Sequence, residues 1–218
     1  MVRKGRFIYS ITRAMARVVF STLYHIEIER EARPSWSGAS VILPKHQYWT
    51  DIPLVALSFA MPLRFVAKQE LFRYPGIRFY LRMLGGIPID REKTIRTLTD
   101  IRTIFARLRA SEALVIFPEG TYVPGYVGSG KSRLIQMILS FQSELQQRIP
   151  FIPMGIRYGQ RDRWRRRVEI RVGPPLFAEG QSEAEVLTQR AMEEIRRLSR
   201  LPPVAGNSKY EIRSTKQI

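Results

Sequence analysis

An imidazole that is to take a proton from an alcohol needs a second group to hold its ring. The stretch Leu43-Pro44-Lys45-His46-Gln47-Tyr48-Trp49-Thr50-Asp51-Ile52-Pro53 supplies both residue types in one loop. His46 and Asp51 are separated by four residues. A carboxylate that accepts one ring N–H fixes the tautomer and leaves the other nitrogen as a base. The same spacing describes a loop histidine beside a helix-capping aspartate, so the pair alone decides nothing. Three further blocks give it context: Gly86-Ile87-Pro88-Ile89-Asp90-Arg91, Phe117-Pro118-Glu119-Gly120-Thr121 and Ile149-Pro150-Phe151-Ile152-Pro153-Met154-Gly155, each in or at the end of an apolar run. Lys68 and Arg91, at the ends of two such runs, are charge-assisted donors suited to a phosphate or a carboxylate.

Those residues are useful only if regular elements bring them together. Val41 to Leu43 is expected as a buried strand with His46 at its exit. Ile52 to Ala60 is expected as a helix opened by Asp51 and Pro53. Strands are predicted at Tyr24 to Glu31, Leu63 to Ala67, Ile87 to Ile89, Ala113 to Phe117, Phe151 to Arg157 and Val168 to Val172. Helices are predicted at Tyr74 to Leu84, Thr94 to Ala110, Lys131 to Gln147 and Glu183 to Leu198. Alternation of this kind predicts an α/β fold: a single-domain, mixed, largely parallel sheet flanked by helices. If the strands are parallel, Glu119 leaves the sheet at the same end as His46, where ligand sites of open α/β sheets gather.

In this order and at these intervals the four blocks resemble the glycerophospholipid acyltransferases, typified by 1-acyl-sn-glycerol-3-phosphate acyltransferase, over about residues 40 to 175. The resemblance implies that His46 and Asp51 are the catalytic pair. His46 would take the proton of an acceptor hydroxyl that attacks the thioester of acyl coenzyme A or an acyl carrier protein, which is a co-substrate rather than a cofactor. It further implies substrate-binding roles for Lys68, Arg91, Glu119, Gly120, Thr121, Tyr122, Lys131 and Arg133, and places Pro153 beside the acyl pocket. The chain departs from the family's pattern twice. Lys45 stands where the family often has asparagine, and is expected to help hold an anionic substrate. Tyr122 stands where the third block ends in arginine, which leaves open whether the acceptor is a lysophospholipid such as 1-acylglycerol-3-phosphate.

With no cysteine and two histidines, disulfides, a thiolate nucleophile and a metal centre are not expected. A formal charge of +17 on 218 residues calls for an anionic partner: a membrane face, phosphorylated substrates, an acidic carrier or nucleic acid. The four blocks favour the membrane and carrier over nucleic acid. Residues 1–23 set Arg3, Lys4, Arg6, Arg13 and Arg17 among apolar residues at helical spacing. They are read as a basic amphipathic helix, too charged to span a bilayer, that either lies on anionic lipid or packs on the core. The expected organisation is that helix, an acyltransferase domain over 24–201 and a mobile tail over 202–218, on the cytoplasmic face of a membrane.

A different class of function has two supports. Gly125-Tyr126-Val127-Gly128-Ser129-Gly130-Lys131-Ser132 formally fits the phosphate-loop pattern, and Arg157, Arg161, Arg163, Arg165, Arg166 and Arg167 with Tyr158 and Trp164 make a cationic hairpin-like segment. A nucleotide or nucleic-acid binding module would use both.

Overall fold

The computed structural model describes residues 14, 16–31, 38–83, 85–89 and 94–204. Arg91 and the first half of the expected amphipathic helix lie outside the described residues. Seven strands form one sheet in the order β1-β7-β6-β2-β5-β3-β4. These are β1 Tyr24–Arg30, β2 Ser40–Pro44, β3 Leu63–Lys68, β4 Ile87–Ile89, β5 Ala113–Val115, β6 Phe151–Asp162 and β7 Arg165–Val172. Every neighbouring pair is parallel except the β6–β7 hairpin. The carboxyl ends of β2 to β6 therefore share one edge, as the sequence requires of any common site.

The helices are α1 (residues 16–23), α2 Asp51–Ser58, α3 Pro75–Met83, α4 Thr94–Arg109, α5 Arg133–Ser140, α6 Gln142–Leu145 and α7 Ala184–Ser199. Central strands covered on both faces must be apolar throughout, and every residue of β2 is buried. Leu54 and Val55 of α2 and Phe20 of α1 pack on one face with Ile42, Val115 and Ile152. Ile104 of α4, Ile135 and Ile138 of α5, and Leu187, Ala191 and Ile195 of α7 pack on the other with Val41, Leu43 and Leu114. The 187, 191, 195 spacing of α7 is the one-face repeat of an amphipathic helix. Gly155 lets α7 approach β6, because a Cβ there would meet the Leu198 carbonyl carbon and Ser199 N at 2.4 Å.

Two expectations are corrected here. The single helix expected over Lys131–Gln147 begins at Arg133 and breaks at Phe141. Phe141 stacks on Phe105 at 3.9 Å, and Gln142 turns inward, donating to Ala178 O and accepting from Ile149 N. Satisfying these buried groups outweighs continuing the helix. The first residues of the tail expected to be mobile over 202–218 are tied down, where Val204 N donates to Val127 O and Val127 N donates to Pro202 O; the rest of it, 205–218, lies outside the described residues. The edge strand β1 has the half-exposed pattern expected of it, with Glu27 and Glu29 paired to Arg167 and Arg171 of β7. No described helix is long and apolar enough to cross a membrane.

Candidate functional site

The connections leaving β2 and β5 part to opposite faces: β2 runs into α2 on one, β5 leads to α5 on the other. Neighbouring parallel strands whose connections diverge leave a crevice at their carboxyl ends, the usual ligand position in such sheets. His46 and Tyr122, in ring contact, lie there.

Asp51 is the first residue of α2 and fully buried. Its Oδ2 accepts from the Nδ1–H of His46 at 3.2 Å and from the backbone N–H groups of Gln47 and Tyr48. Its Oδ1 accepts from the Tyr158 hydroxyl at 2.6 Å. Both carboxylate oxygens are thus occupied by donors, at the N-terminus of a helix whose partial positive charge faces them. The 46–51 loop is thereby folded around one acid. The His46 ring stacks on Phe117 at 3.8 Å and meets Tyr122 at 4.4 Å on a tilt. Nε2 bonds none of the described residues, and the side chain keeps 12 % of its surface exposed. With Nδ1 committed to Asp51, Nε2 is the nitrogen positioned to act as a base.

The backbone of His46 is held as firmly as its ring. Its N–H donates to Glu119 Oε2 (2.9 Å), and its carbonyl accepts from Lys45 Nζ and Val123 N–H, both at 2.9 Å. Lys45 and Glu119 are buried against each other at 2.8 Å. The Lys45 ammonium also donates to Val123 O, and Glu119 Oε1 also accepts from Gly128 N–H. Burial pushes the Lys45 ammonium down from the ordinary lysine value, while the charge and hydrogen bond of Glu119 hold it up.

Two expected roles change in consequence. Lys45, expected to help hold an anionic substrate, has its ammonium buried against Glu119, and Glu119, expected among the substrate-binding residues, has both oxygens engaged inside the protein. The physical reason is shared: a carboxylate this deep needs a cation and several donors, and the nearest cation is the residue before His46.

The other expected residues fall as follows. Gly120 takes a left-handed conformation (φ 69°), which turns the chain back over His46. Thr121 is half-buried beside it. Tyr122 is 44 % exposed, and burial of its hydroxyl together with the Asp51 charge pushes its pKa up, so it stays a neutral donor. Lys68 ends β3, two strands from β2 across β5, about 10 Å at the usual strand spacing. Arg133 opens α5 and is exposed; Lys131 is half-buried, its N–H donating to Pro118 O. Pro153 is buried in β6 level with Leu43, on the side where β6 exchanges its partner from β7 to Leu176, so its missing N–H costs the sheet nothing.

The loop that fits the phosphate-loop pattern is built for another purpose. Gly125 N–H donates to Gln47 Oε1, Val127 N–H to Pro202 O, Gly128 N–H to Glu119 Oε1 and Lys131 N–H to Pro118 O. A phosphate cradle needs those groups pointing outward. A Cβ at Gly130 would meet Met192 and Thr188 at 2.7 Å, so that glycine serves the packing of α7.

Sequence reasoning placed Tyr158 only in the arginine segment and gave Gln47 and Phe117 no role of their own. Tyr158 continues the inward row Ile152, Met154, Ile156, and a phenol at the end of such a row must find its hydroxyl a partner. That partner is Asp51, with Thr50 Oγ1 at 2.8 Å. Gln47 donates from Nε2 to Ile156 O, joining the site loop to β6.

A largely parallel α/β sheet with a His–Asp pair at a strand-end crevice narrows the class to proteins that do their work at the carboxyl edge of an open sheet. The Acyltransferase family model matches residues 24–157, more than half of the chain, and the chain belongs to that family. Among its relatives are a chloroplastic 1-acyl-sn-glycerol-3-phosphate acyltransferase of Arabidopsis thaliana, 27 % identical over 54 % of this chain and 33 % of the relative. A lyso-ornithine lipid O-acyltransferase of Rhizobium meliloti is 29 % identical over 61 % and 40 %. The 1-acyl-sn-glycerol-3-phosphate acyltransferase of Bacillus subtilis is 31 % identical over 42 % and 45 %. The matched region thus spans less than half the length of each of these relatives. The crystal structure of the 1-acyl-sn-glycerophosphate acyltransferase PlsC of Thermotoga maritima shares the fold, with a TM-score of 0.64 over 89 % of this chain and 82 % of that one at 23 % identity.

Proposed function

We propose that the protein is an O-acyltransferase that esterifies the free hydroxyl of a lysolipid with an acyl group taken from acyl coenzyme A or an acyl carrier protein. The carrying observation is the imidazole held by Asp51 through Nδ1 with Nε2 left to the crevice. Nε2 takes the hydroxyl proton as the oxygen attacks the thioester carbonyl. The tetrahedral adduct collapses, the C–S bond breaks, and the thiolate leaves with the proton returned by the imidazolium. Asp51 steadies that cation. Lys68, Arg91, Lys131 and Arg133 supply positive charge for the anionic parts of both substrates, and Pro153 borders the acyl chain. Exposed Val18, Val19 and Leu23 on α1 favour action as a peripheral protein at a membrane surface, and the proposal takes that surface to be the cytoplasmic one.

The first acceptor to try is 1-acylglycerol-3-phosphate, the substrate class in the names of two of the relatives. A second acceptor, a lysolipid without phosphate, is favoured by one observation: Tyr122, uncharged, lies against the imidazole at the position that the family gives to arginine. Thiol release is to be followed with each thioester and each acceptor, for wild type and His46→Ala. The substitution should lower turnover by about 100- to 10,000-fold with the fold intact. Undiminished turnover in His46→Ala, or no thiol release with any pairing, would overturn the proposal.

A further inference from the structure

The β6–β7 hairpin runs well beyond the strand it supports. Pro44, the end of β2, is level with Met154, yet β6 continues to Asp162 and turns through Arg163 (φ 52°) and Trp164 into β7. Eight residues at about 3.3 Å each carry it roughly 26 Å past the end of β2, on the edge that holds His46. Arg161 and Arg166 face each other across the ladder. Like charges directly opposite destabilise a strand pair unless something anionic lies between them. Among the described residues neither has a carboxylate at ion-pair distance; the acids of β1 are taken by Arg167 and Arg171 on the other face.

The surroundings identify the anion's source. A concavity of about 660 Å³ opens between residues 157–161 and Arg166. The Arg166 guanidinium lies over the Tyr158 ring at 5.2 Å, and its Nε donates to Gly159 O. Tyr24, level with Arg166, stacks on Phe20 of α1, which brings α1 to the same face and edge. There Val18, Val19, Leu23, Trp49 and Trp164 are each more than half exposed. Apolar helix residues, exposed tryptophans and unpaired arginines on one edge match the layers of an anionic bilayer: acyl chains, interface and headgroup phosphates.

We propose that the hairpin is a second membrane contact beside α1, Arg161 and Arg166 seating an anionic lipid phosphate while Trp164 enters the interface. The crevice then opens onto the surface from which a lysolipid comes. This deepens the proposed function, yet lipid binding and acyl transfer can be lost separately.

Sedimentation with phosphatidylglycerol-containing and pure phosphatidylcholine vesicles tests it. Arg161→Gln/Arg166→Gln should bind the anionic vesicles about 25-fold more weakly at low salt, taking roughly fivefold per arginine, with binding to neutral vesicles unchanged. Arg161→Lys/Arg166→Lys should keep most of the affinity, and Trp164→Ala should weaken binding to both vesicles. His46→Ala should bind as wild type does, which separates this test from any failure of catalysis. Full vesicle binding by the glutamine variant, with its thermal melt unchanged, would overturn the proposal. So would loss of carrier-protein binding while vesicle binding is kept, since the hairpin would then be a protein-docking surface. Competition by free inorganic phosphate at millimolar levels would equally count against a bilayer-borne ligand.

Discussion

Replacing Lys45 by methionine separates two roles that a lysine beside a reactive histidine could have. Its side chain and that of Glu119 are 0 % and 1 % exposed. The substitution leaves Glu119 inside the protein with the N–H groups of His46 and Gly128 as donors and no countercharge. Removing one partner of a buried ion pair costs about 3–5 kcal/mol. The two remaining donors place this case near the lower end, about 3 kcal/mol. A chain of this length loses roughly 2–4 °C in Tm per kcal/mol, so Lys45→Met should melt about 6–12 °C lower near neutral pH. Glu119→Gln strands the ammonium instead and should cost a similar amount. The double variant removes both charges and should be more stable than the two losses summed, with a coupling of about 2 kcal/mol. Thermal unfolding followed by circular dichroism reads all four proteins. If Lys45→Met melted with the wild type and only raised KM for an anionic acceptor, the lysine would serve the substrate and the pairing described above would be wrong.

Other outcomes follow from the same contacts. Tyr158→Phe removes the hydroxyl donated to Asp51 Oδ1 and should lower kcat by about 10- to 100-fold with KM little changed, since a hydrogen bond to a charged group contributes about 1.5–3 kcal/mol; a lower Tm with kcat unchanged would make Tyr158 a packing residue only. Tyr122→Arg should shift preference toward a phosphate-bearing acceptor in side-by-side assays, and an unaltered acceptor order would remove Tyr122 from specificity. Glu31 is held below the usual carboxylate value by its hydrogen bond from Arg197. Burial raises Glu169, but the hydrogen bond and charge of Arg171 outweigh it and hold the group low as well. Depressed acids stabilise the fold above the unfolded value near 4.3 and lose that contribution as pH falls through their folded values. Tm should therefore hold from neutrality to about pH 5 and fall below it, less steeply in Glu31→Gln/Glu169→Gln; identical acid slopes would refute the assignment.

Much of the architecture was legible because each element announces itself locally. The apolar runs that enter β2, β3, β5 and β6 are short and bounded, and α7 repeats its apolar residues at helical spacing, so the order of strands and helices could be read directly. Parallel pairing then brought His46, Lys68 and Glu119 to one edge, as expected. The direction of a side chain at a strand's end was not legible. Lys45 and His46 are neighbours, so one turns in and the other lines the crevice, and only the burial of Glu119 decides which charge is needed inside. Tyr158, more than one hundred residues from Asp51, is joined to it through the lateral pairing of β6 with β2, which no local pattern encodes.

The arginine segment shows the same limit and what resolves it. In sequence its arginines form one cluster that could grip any polyanion. The pleat of the β6–β7 ladder sorts them by face. Arg167 and Arg171 lie with Glu27, Glu29 and Glu169 and are paired there, which holds β1 to the sheet. Arg161 and Arg166 fall on the face of Tyr158 and Tyr24, where no such acids stand opposite. Arg161 and Arg166, with no carboxylate at ion-pair distance among the described residues, thus lie on the face and edge that also carry the exposed residues of α1. Under the proposal above it is this facing pair, rather than the count of arginines in the segment, that gives the hairpin a preferred side toward an anionic surface.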